Sequence, residues 1–114
     1  MALVAVLYAY NDLPDVRAEH LGAHREFLAS QPNLLLSGPT SDGSGLLVFE
    51  GEVDAVEETL DDDPFLAVGL IKERRVFEWT PALGSWKTQL GLRGTGVHPR
   101  ISPARAPAGG RTRR

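Results

Sequence analysis

Three basic side chains lie at helical spacing near the start of the chain, in the segment RAEHLGAHREFL (residues 17–28). Arg17, His20 and His24 follow one another at intervals of three and four residues, so a helix would place them along one stripe. An imidazole exchanges protons near neutral pH, and a guanidinium binds carboxylate or phenolate oxygens through two parallel hydrogen bonds. The segment is therefore either one wall of a site that moves protons or a solvated helix face that carries histidines.

The spacing of His20 and His24 also raises the question of a metal site. Two histidines one helical turn apart bind zinc when a third ligand is present. Asp63 is the candidate third ligand in this sequence, since the chain has no cysteine. Because no glutamate follows His20 in the metalloprotease pattern, we predict no metal site and interpret His24 as a residue at the edge of a pocket.

Other familiar catalytic patterns are missing from the sequence. The stretch SDGSG at 41–45 is not followed by the Lys-Ser/Thr pair of a phosphate-binding loop, and EETLDDD at 57–63 lacks the spacing of a calcium loop. Ser37 and Ser44 have no nucleophile-elbow context, which argues against serine hydrolysis. The absence of cysteine excludes disulfides and thiol nucleophiles.

Length and composition indicate one globular domain followed by a tail. The chain has 114 residues, of which 42% are hydrophobic and 24% charged, and its formal net charge is -3. Residues 91–114 contain six arginines, no acidic residue and few large apolar side chains. We therefore expect a domain over residues 1–90 and a disordered basic tail over 91–114.

The residue types of the tail and of the N-terminus indicate which binding partners and which cellular location to expect. The tail lacks the interleaved aromatic residues of a base-stacking surface, which argues against nucleic-acid binding, although docking on an acidic partner is an option for it. No apolar stretch is long enough to span a membrane, and the start MALVAVLYAYND lacks the basic region and cleavage pattern of a signal peptide. We expect a cytoplasmic protein without membrane contact.

The apolar patterns predict the element order β-α-β-β-α-β. The predicted strands and helices are strands at 2–10, 34–39, 46–51 and 71–79, helices at 12–30 and 52–63, and a short turn-and-helix segment at 63–70. This order is the ferredoxin-like α+β arrangement, an antiparallel four-stranded sheet with both helices on one face. The other face then needs cover, which either the C-terminal segment TPALGSWKTQL (residues 80–90) or a second copy of the domain could supply. We expect a homodimer formed through the open sheet face.

Three short motifs in this order resemble the YciI-like (YCII-related) domain family: RAEHL at 17–21, LLLSGP at 34–39 and DDDPF at 61–65. The resemblance covers residues 2–80 and implies a ferredoxin-like domain that pairs into a dimeric α+β barrel. Members of the family include a dehydrochlorinase acting on a chlorinated hydroquinone, and most members have no assigned reaction.

The resemblance also implies a set of site residues. The proposed site of the family pairs a histidine on the first helix with an aspartate before a proline and an aromatic residue, which correspond here to His20 and Asp63. Arg17 corresponds to an arginine three residues before the histidine, and Ser37 to the small turn after the second strand. The loop TSDGSG at 40–45 is shorter than in many relatives, and the arginine-rich tail is no part of the family pattern, so the resemblance does not define a substrate.

The sequence thus leads to the hypothesis of a small dimeric enzyme in which His20 and Asp63 perform general acid/base chemistry. The reaction would be an isomerisation, an elimination or a dehydrochlorination of a small cyclic molecule, bound by Arg17, Ser37 and His24, with no organic cofactor implied. An aspartate before a proline is also a common helix N-cap, and both roles of Asp63 are compatible. The alternative is a non-catalytic dimer that binds a ligand or acts as an accessory module.

Overall fold

The first part of the chain folds into four strands and three helices in the predicted order. A computed structural model describes residues 2–89. Its elements are β1 (Leu3–Tyr10), α1 (Pro14–Ala29), β2 (Leu34–Pro39), β3 (Gly45–Glu50), α2 (Val53–Leu60), α3 (Pro64–Ala67) and β4 (Ile71–Trp79). The strands form one antiparallel sheet of order β2-β3-β1-β4. The predicted ferredoxin-like α+β fold is confirmed.

The contacts within the chain divide it into two units, Met1–Thr80 and Pro81–Arg114. In the second unit the structure describes the short helix α4, Trp86–Gln89. The predicted tail at 91–114 lies outside the described residues, and the predicted boundary after residue 90 stays a prediction. No helix within residues 2–89 combines the length and the apolar character needed to cross a bilayer.

Strand β1 is apolar on both faces because it lies between β3 and β4 and is central in the sheet. Side chains alternate along a strand, so Val4, Val6 and Tyr8 share one face. These three belong to the buried core, together with side chains of the neighbouring strand and of both long helices: Leu28, Leu47, Phe49, Val56 and Leu60. Burial of each large apolar side chain contributes roughly 1.5–3 kcal/mol, which holds α1 and α2 against this face.

The turn between β2 and β3 is the predicted hairpin. The Thr40 N–H donates to the Ser44 carbonyl over 3.0 Å, and Gly43 adopts a φ of 87°, a conformation that glycine reaches without steric cost. The hairpin register pairs Gly38 with Leu46 and Pro39 with Gly45. The turn therefore brings the end of β2 beside the start of β3, next to α1.

The sheet face turned away from α1 and α2 carries large apolar side chains, with Arg75 beside Leu7 and over the Phe77 ring. The register places Leu46 beside Leu7, Phe77 beside Ala5 and Trp79 beside Leu3, and these positions alternate with the core positions of β1. Leu46 is 41% exposed, Phe77 38% and Trp79 47%. A face of large exposed apolar side chains is the expected mark of an interaction surface.

One close approach in the sheet leads to a stability prediction. A Cβ at Gly45 would lie 2.5 Å from the Tyr10 hydroxyl oxygen, whereas a Cβ at Gly38 would meet nothing within 4 Å. We expect Gly45→Ala to displace the Tyr10 ring and to lower the free energy of unfolding by about 1–3 kcal/mol. Gly38→Ala, in the strand paired with β3, is the matched control and should change it by less than about 0.5 kcal/mol. Urea denaturation of both variants makes the comparison, and equal effects would contradict it.

Candidate active site

The site is built around Asp63, whose position follows from the local sequence. Asp63 is the N-cap of α3, and Pro64 occupies the first turn, where its missing N–H has no consequence. The Asp63 Oδ1 atom accepts a hydrogen bond of 2.9 Å from the Phe65 backbone N–H. The N-cap interpretation of this aspartate is therefore confirmed in the structure, and the cap fixes where its carboxylate lies.

The carboxylate of Asp63 is completely buried and has two further partners from distant parts of the chain. The Tyr8 hydroxyl on β1 donates to Oδ2 over 3.0 Å, and His24 Nδ1 on α1 lies 2.9 Å from Oδ1. A buried carboxylate is tolerated only when its oxygens are hydrogen-bonded. Three elements thus meet at one side chain.

This arrangement fixes which nitrogen of the His24 ring carries a proton. An ionised carboxylate only accepts hydrogen bonds, so the bond to Asp63 places a proton on Nδ1. His24 also lines a cleft, and within residues 2–89 its Nε2 atom has no hydrogen-bond partner. Nε2 is therefore the ring nitrogen left for a bound molecule, either as a proton acceptor or, in the imidazolium form, as a donor.

Aromatic side chains hold the His24 ring in place. The Phe65 ring stacks on it with centroids 3.9 Å apart and planes 4° from parallel. Tyr10 in turn packs edge-on against Phe65, with centroids 5.9 Å apart. The imidazole is thus fixed by one hydrogen bond and one stacked face, which leaves it little freedom to turn.

The cleft lies between α1 and the β2–β3 hairpin and has a volume of about 360 Å³. Its lining residues come from α1, the three strands β1 to β3 and the start of α3, and include Tyr10, Arg17, Leu21, His24, Arg25, Leu28, Ser37, Pro39, Leu47 and Phe65. The Arg17 guanidinium lies over the Tyr10 ring, 4.6 Å from its centroid. The three predicted substrate-binding residues, Arg17, Ser37 and His24, therefore line one cleft, and their binding role stays a prediction.

The predicted contact between His20 and Asp63 is wrong. The histidine at the carboxylate is His24, and His20 is half-buried one turn earlier in α1, about 6 Å along the helix axis. Four residues rotate the helix by only about 40° more than one turn, so the two histidines share a face of α1 and the offset along the axis separates them. The start of α3 lies beside the second half of α1, and this placement gives the carboxylate to His24. A catalytic role for either histidine stays a prediction.

Sequence reasoning missed several parts of the site. The sequence pattern indicates Tyr8 and Tyr10 only as strand residues, although their alternation on β1 puts both on the helix-facing side. It gives Phe65 as the aromatic residue after the Asp-Pro pair but not its stacking on His24. Nothing in the sequence distinguishes Arg25 from a solvated helix residue. Among residues 2–89 no cluster of three or more possible metal-ligating side chains occurs.

Comparison with known protein families identifies the family of this chain. Residues 1–80 match the model of the YCII-related domain. The chain belongs to the YCII-related domain family. The resemblance identified from the three motifs is thereby confirmed. No protein of curated function matches this YCII-related chain in sequence.

Solved structures similar to the YCII-related chain include an enzyme and a protein of unknown role. The first is 5-chloro-2-hydroxyhydroquinone dehydrochlorinase from Burkholderia phenoliruptrix AC1100 in complex with 2,5-dihydroxybenzoquinone. It is 23% identical with a TM-score of 0.60, and the match covers 68% of this chain and 93% of that one. The second is an uncharacterized NIPSNAP domain protein from Burkholderia xenovorans, 13% identical with a TM-score of 0.47, covering 72% and 95% of the two chains. The first likeness agrees with the fold described above.

The environment of Tyr8 predicts a loss of stability at alkaline pH. Burial, and next the charge of Asp63, raise the pKa of Tyr8 above the ordinary value of 10.0. The folded state therefore keeps a proton that the unfolded state loses, so the free energy of unfolding should fall as the pH rises above 10.0. In Tyr8→Phe this fall should be shallower, as measured by urea denaturation at a series of alkaline pH values.

The same variant has a separate effect at neutral pH. Tyr8→Phe leaves one oxygen of the buried Asp63 without its donor and should lower the free energy of unfolding by about 1–3 kcal/mol. Tyr10→Phe removes a hydroxyl that makes no bond to Asp63 and is the matched control, with a smaller effect expected. The alkaline series has its own contradicting outcome. If the free energy of unfolding of Tyr8→Phe fell above pH 10.0 as steeply as that of the unaltered protein, the fall could not be due to the raised pKa of Tyr8.

Proposed function

We propose that this YCII-related protein is an enzyme that performs general acid/base chemistry on a small cyclic molecule, with His24 and Asp63 as its acid/base pair. The observation that carries the proposal is the 2.9 Å bond between His24 Nδ1 and the buried Asp63, on a histidine that also lines the cleft. A reaction of the isomerase or lyase type, including dehydrochlorination, needs a group of this kind. We further propose that it acts in the cytoplasm, in line with its lack of cysteine.

In the proposed mechanism, His24 Nε2 takes a proton from the bound molecule. The ring then carries a positive charge, which the Asp63 carboxylate stabilises through the proton on Nδ1. In an elimination, the electron pair freed by proton removal forms the new double bond and the leaving group, such as chloride, departs with its own bonding pair. The imidazolium afterwards returns its proton to solvent, or to another atom of the molecule in an isomerisation.

Asp63 is suited to this role because its own position does not depend on the substrate. The Phe65 N–H and the Tyr8 hydroxyl hold its two oxygens, and Tyr8 stays protonated because burial raises the pKa of its hydroxyl. The carboxylate therefore remains an acceptor aimed at Nδ1 throughout the reaction. A base whose tautomer and orientation are set before the substrate arrives needs no reorganisation during the proton transfer.

Two further residues are proposed to orient the substrate. Arg17 lies at the cleft wall on the face of Tyr10, and Ser37 lies across the cleft at the end of β2. The dehydrochlorinase from Burkholderia phenoliruptrix shares this fold and acts on a chlorinated hydroquinone according to its name. Hydroxylated quinone-type rings are therefore the first compounds to test.

The activity test uses 5-chloro-2-hydroxyhydroquinone as substrate and chloride release as the measurement. We expect His24→Gln to lower kcat by about 100-fold or more, since loss of a general base costs about 10²–10⁴ in rate. His20→Gln, on the same helix but without the Asp63 contact, is the matched control and should keep kcat within about threefold of the unaltered protein. Thermal melting of both variants checks that the fold is intact.

The outcomes separate the two candidate functions. If His24→Gln turns over at the unaltered rate, or if His20→Gln is the inactive variant, the proposed mechanism is wrong. Binding of 2,5-dihydroxybenzoquinone without turnover of the chlorinated compound would instead favour a non-catalytic binding module. In that case the His24–Asp63 pair would serve recognition.

We also propose that the protein forms a homodimer through the open sheet face. This face carries Leu46, Phe77 and Trp79, all more than one third exposed in the part of the chain that the structure describes. Burial of apolar surface at about 25 cal/mol per Å² is the main source of affinity in such an interface. In the resulting dimer the two sheets would lie face to face and the two clefts would point outward.

A charge placed on this face should disrupt the dimer. Leu46→Glu replaces an apolar side chain beside Leu7 by a carboxylate, which must be desolvated on association, so sedimentation should show a monomer. Ala23→Glu adds the same charge on the exposed side of α1 and is the matched control, for which a dimer is expected. A monomer in the unaltered protein at all concentrations would refute the proposed interface.

A further inference from the structure

The charged side chains that line the cleft are all basic. Arg17, His24 and Arg25 lie along its α1 wall, and no aspartate or glutamate is among the lining residues. Asp63 lies behind the His24 ring, completely buried, and its charge is already engaged with three donors. A molecule in the cleft therefore meets a positive wall without acidic groups to offset it.

Neither arginine is committed to an ion pair within the described part of the chain. The ion pairs found among residues 2–89 are His24 with Asp63 and Arg74 with Asp61. The hydrogen-bonding edges of Arg17 and Arg25 are thus open to a ligand.

The two guanidinium groups reach the cleft from different ends of its helical wall. Arg17 and Arg25 are eight residues apart in α1, which corresponds to about 12 Å along the axis. The Arg17 Cζ atom lies 4.6 Å from the centroid of the Tyr10 ring. A guanidinium can bind two oxygens of one acid group through parallel N–H bonds. Arg25, more exposed, follows His24 directly in the sequence and lies at the rim.

The rest of the lining limits the size and shape of the ligand. Apolar side chains of Leu21, Leu28, Leu47 and Phe65 form much of the wall, and the cleft volume of about 360 Å³ is at the small end of ligand pockets. Such a cleft accommodates a single ring with small substituents. A flat ring also fits between the aromatic and aliphatic walls.

We propose that the cleft selects anionic ring compounds, carrying a carboxylate or an ionised hydroxyl, and that Arg17 and Arg25 supply this selectivity. Arg25 is the specificity-determining residue at the rim, and Arg17 binds the acid group beside Tyr10. The inference rests on the proposed function for the location of the site. It concerns binding and does not require turnover.

The test compares an acid with its neutral amide. Isothermal titration calorimetry with 2,5-dihydroxybenzoate and 2,5-dihydroxybenzamide at neutral pH measures the effect of one charge on otherwise similar rings. We expect the acid to bind the unaltered protein about tenfold more tightly or better, since hydrogen bonds to a charged partner are the stronger ones. In Arg25→Gln and in Arg17→Gln this preference should shrink, because the affinity for the acid falls more than the affinity for the amide.

One control keeps the result specific. Lys72→Gln removes one positive charge from an exposed position of β4 that does not line the cleft, and it should keep the full preference for the acid. The preference is a ratio of two affinities measured without turnover, so its failure is distinguishable from failure of the proposed acid/base function, which the chloride-release assay tests.

Several results would overturn the proposal. Equal affinity for acid and amide in the unaltered protein would do so, as would failure of the acid to bind. An equal loss of preference in Lys72→Gln and Arg25→Gln would show that net charge, and not the cleft, attracts the acid.

Discussion

The burial of the Asp63 carboxylate is the constraint on which the rest of the structure depends. A charge removed from water costs several kcal/mol unless donors surround it, so the chain must bring them to this point. The donors come from the start of α3, from the middle of β1 and from the second half of α1. One side chain therefore fixes the positions of a strand and two helices relative to one another.

Helix α1 serves the core and the cleft with a single stripe of side chains. Leu28 packs into the core, His24 contacts the buried carboxylate, and Arg17 lies over Tyr10 nearer the N-terminus of the helix. Along this stripe the character changes from apolar to basic as the helix leaves the core. The helix is thus anchored at one end by burial, and its other end lines the cleft.

Much of the fold follows from the sequence because its signals are local. The apolar run of β1, the hairpin glycines and the Asp-Pro pair before Phe65 each specify their own structure over a few residues. Local signals do not show which histidine, His20 or His24, contacts Asp63. The two lie within about 40° of each other on a helical projection, and where α3 packs against α1 decides between them. The role of Tyr8 was hidden for the same reason. A tyrosine in an apolar strand is indistinguishable from a core residue until its partner across the fold is known.

Asp63 has two roles at once, because it caps the start of α3 and also contacts His24. Among relatives of this chain, the two residues of the pair therefore carry different information. A relative without enzymatic activity would still need the aspartate in order to fold. The presence of the aspartate therefore indicates the fold and not an activity. The histidine also contributes to folding, as a donor to the buried carboxylate, but other donor side chains could serve there. An imidazole is the side chain that exchanges protons near neutral pH, so its presence or absence is the better guide to which relatives have kept an acid/base group at this position.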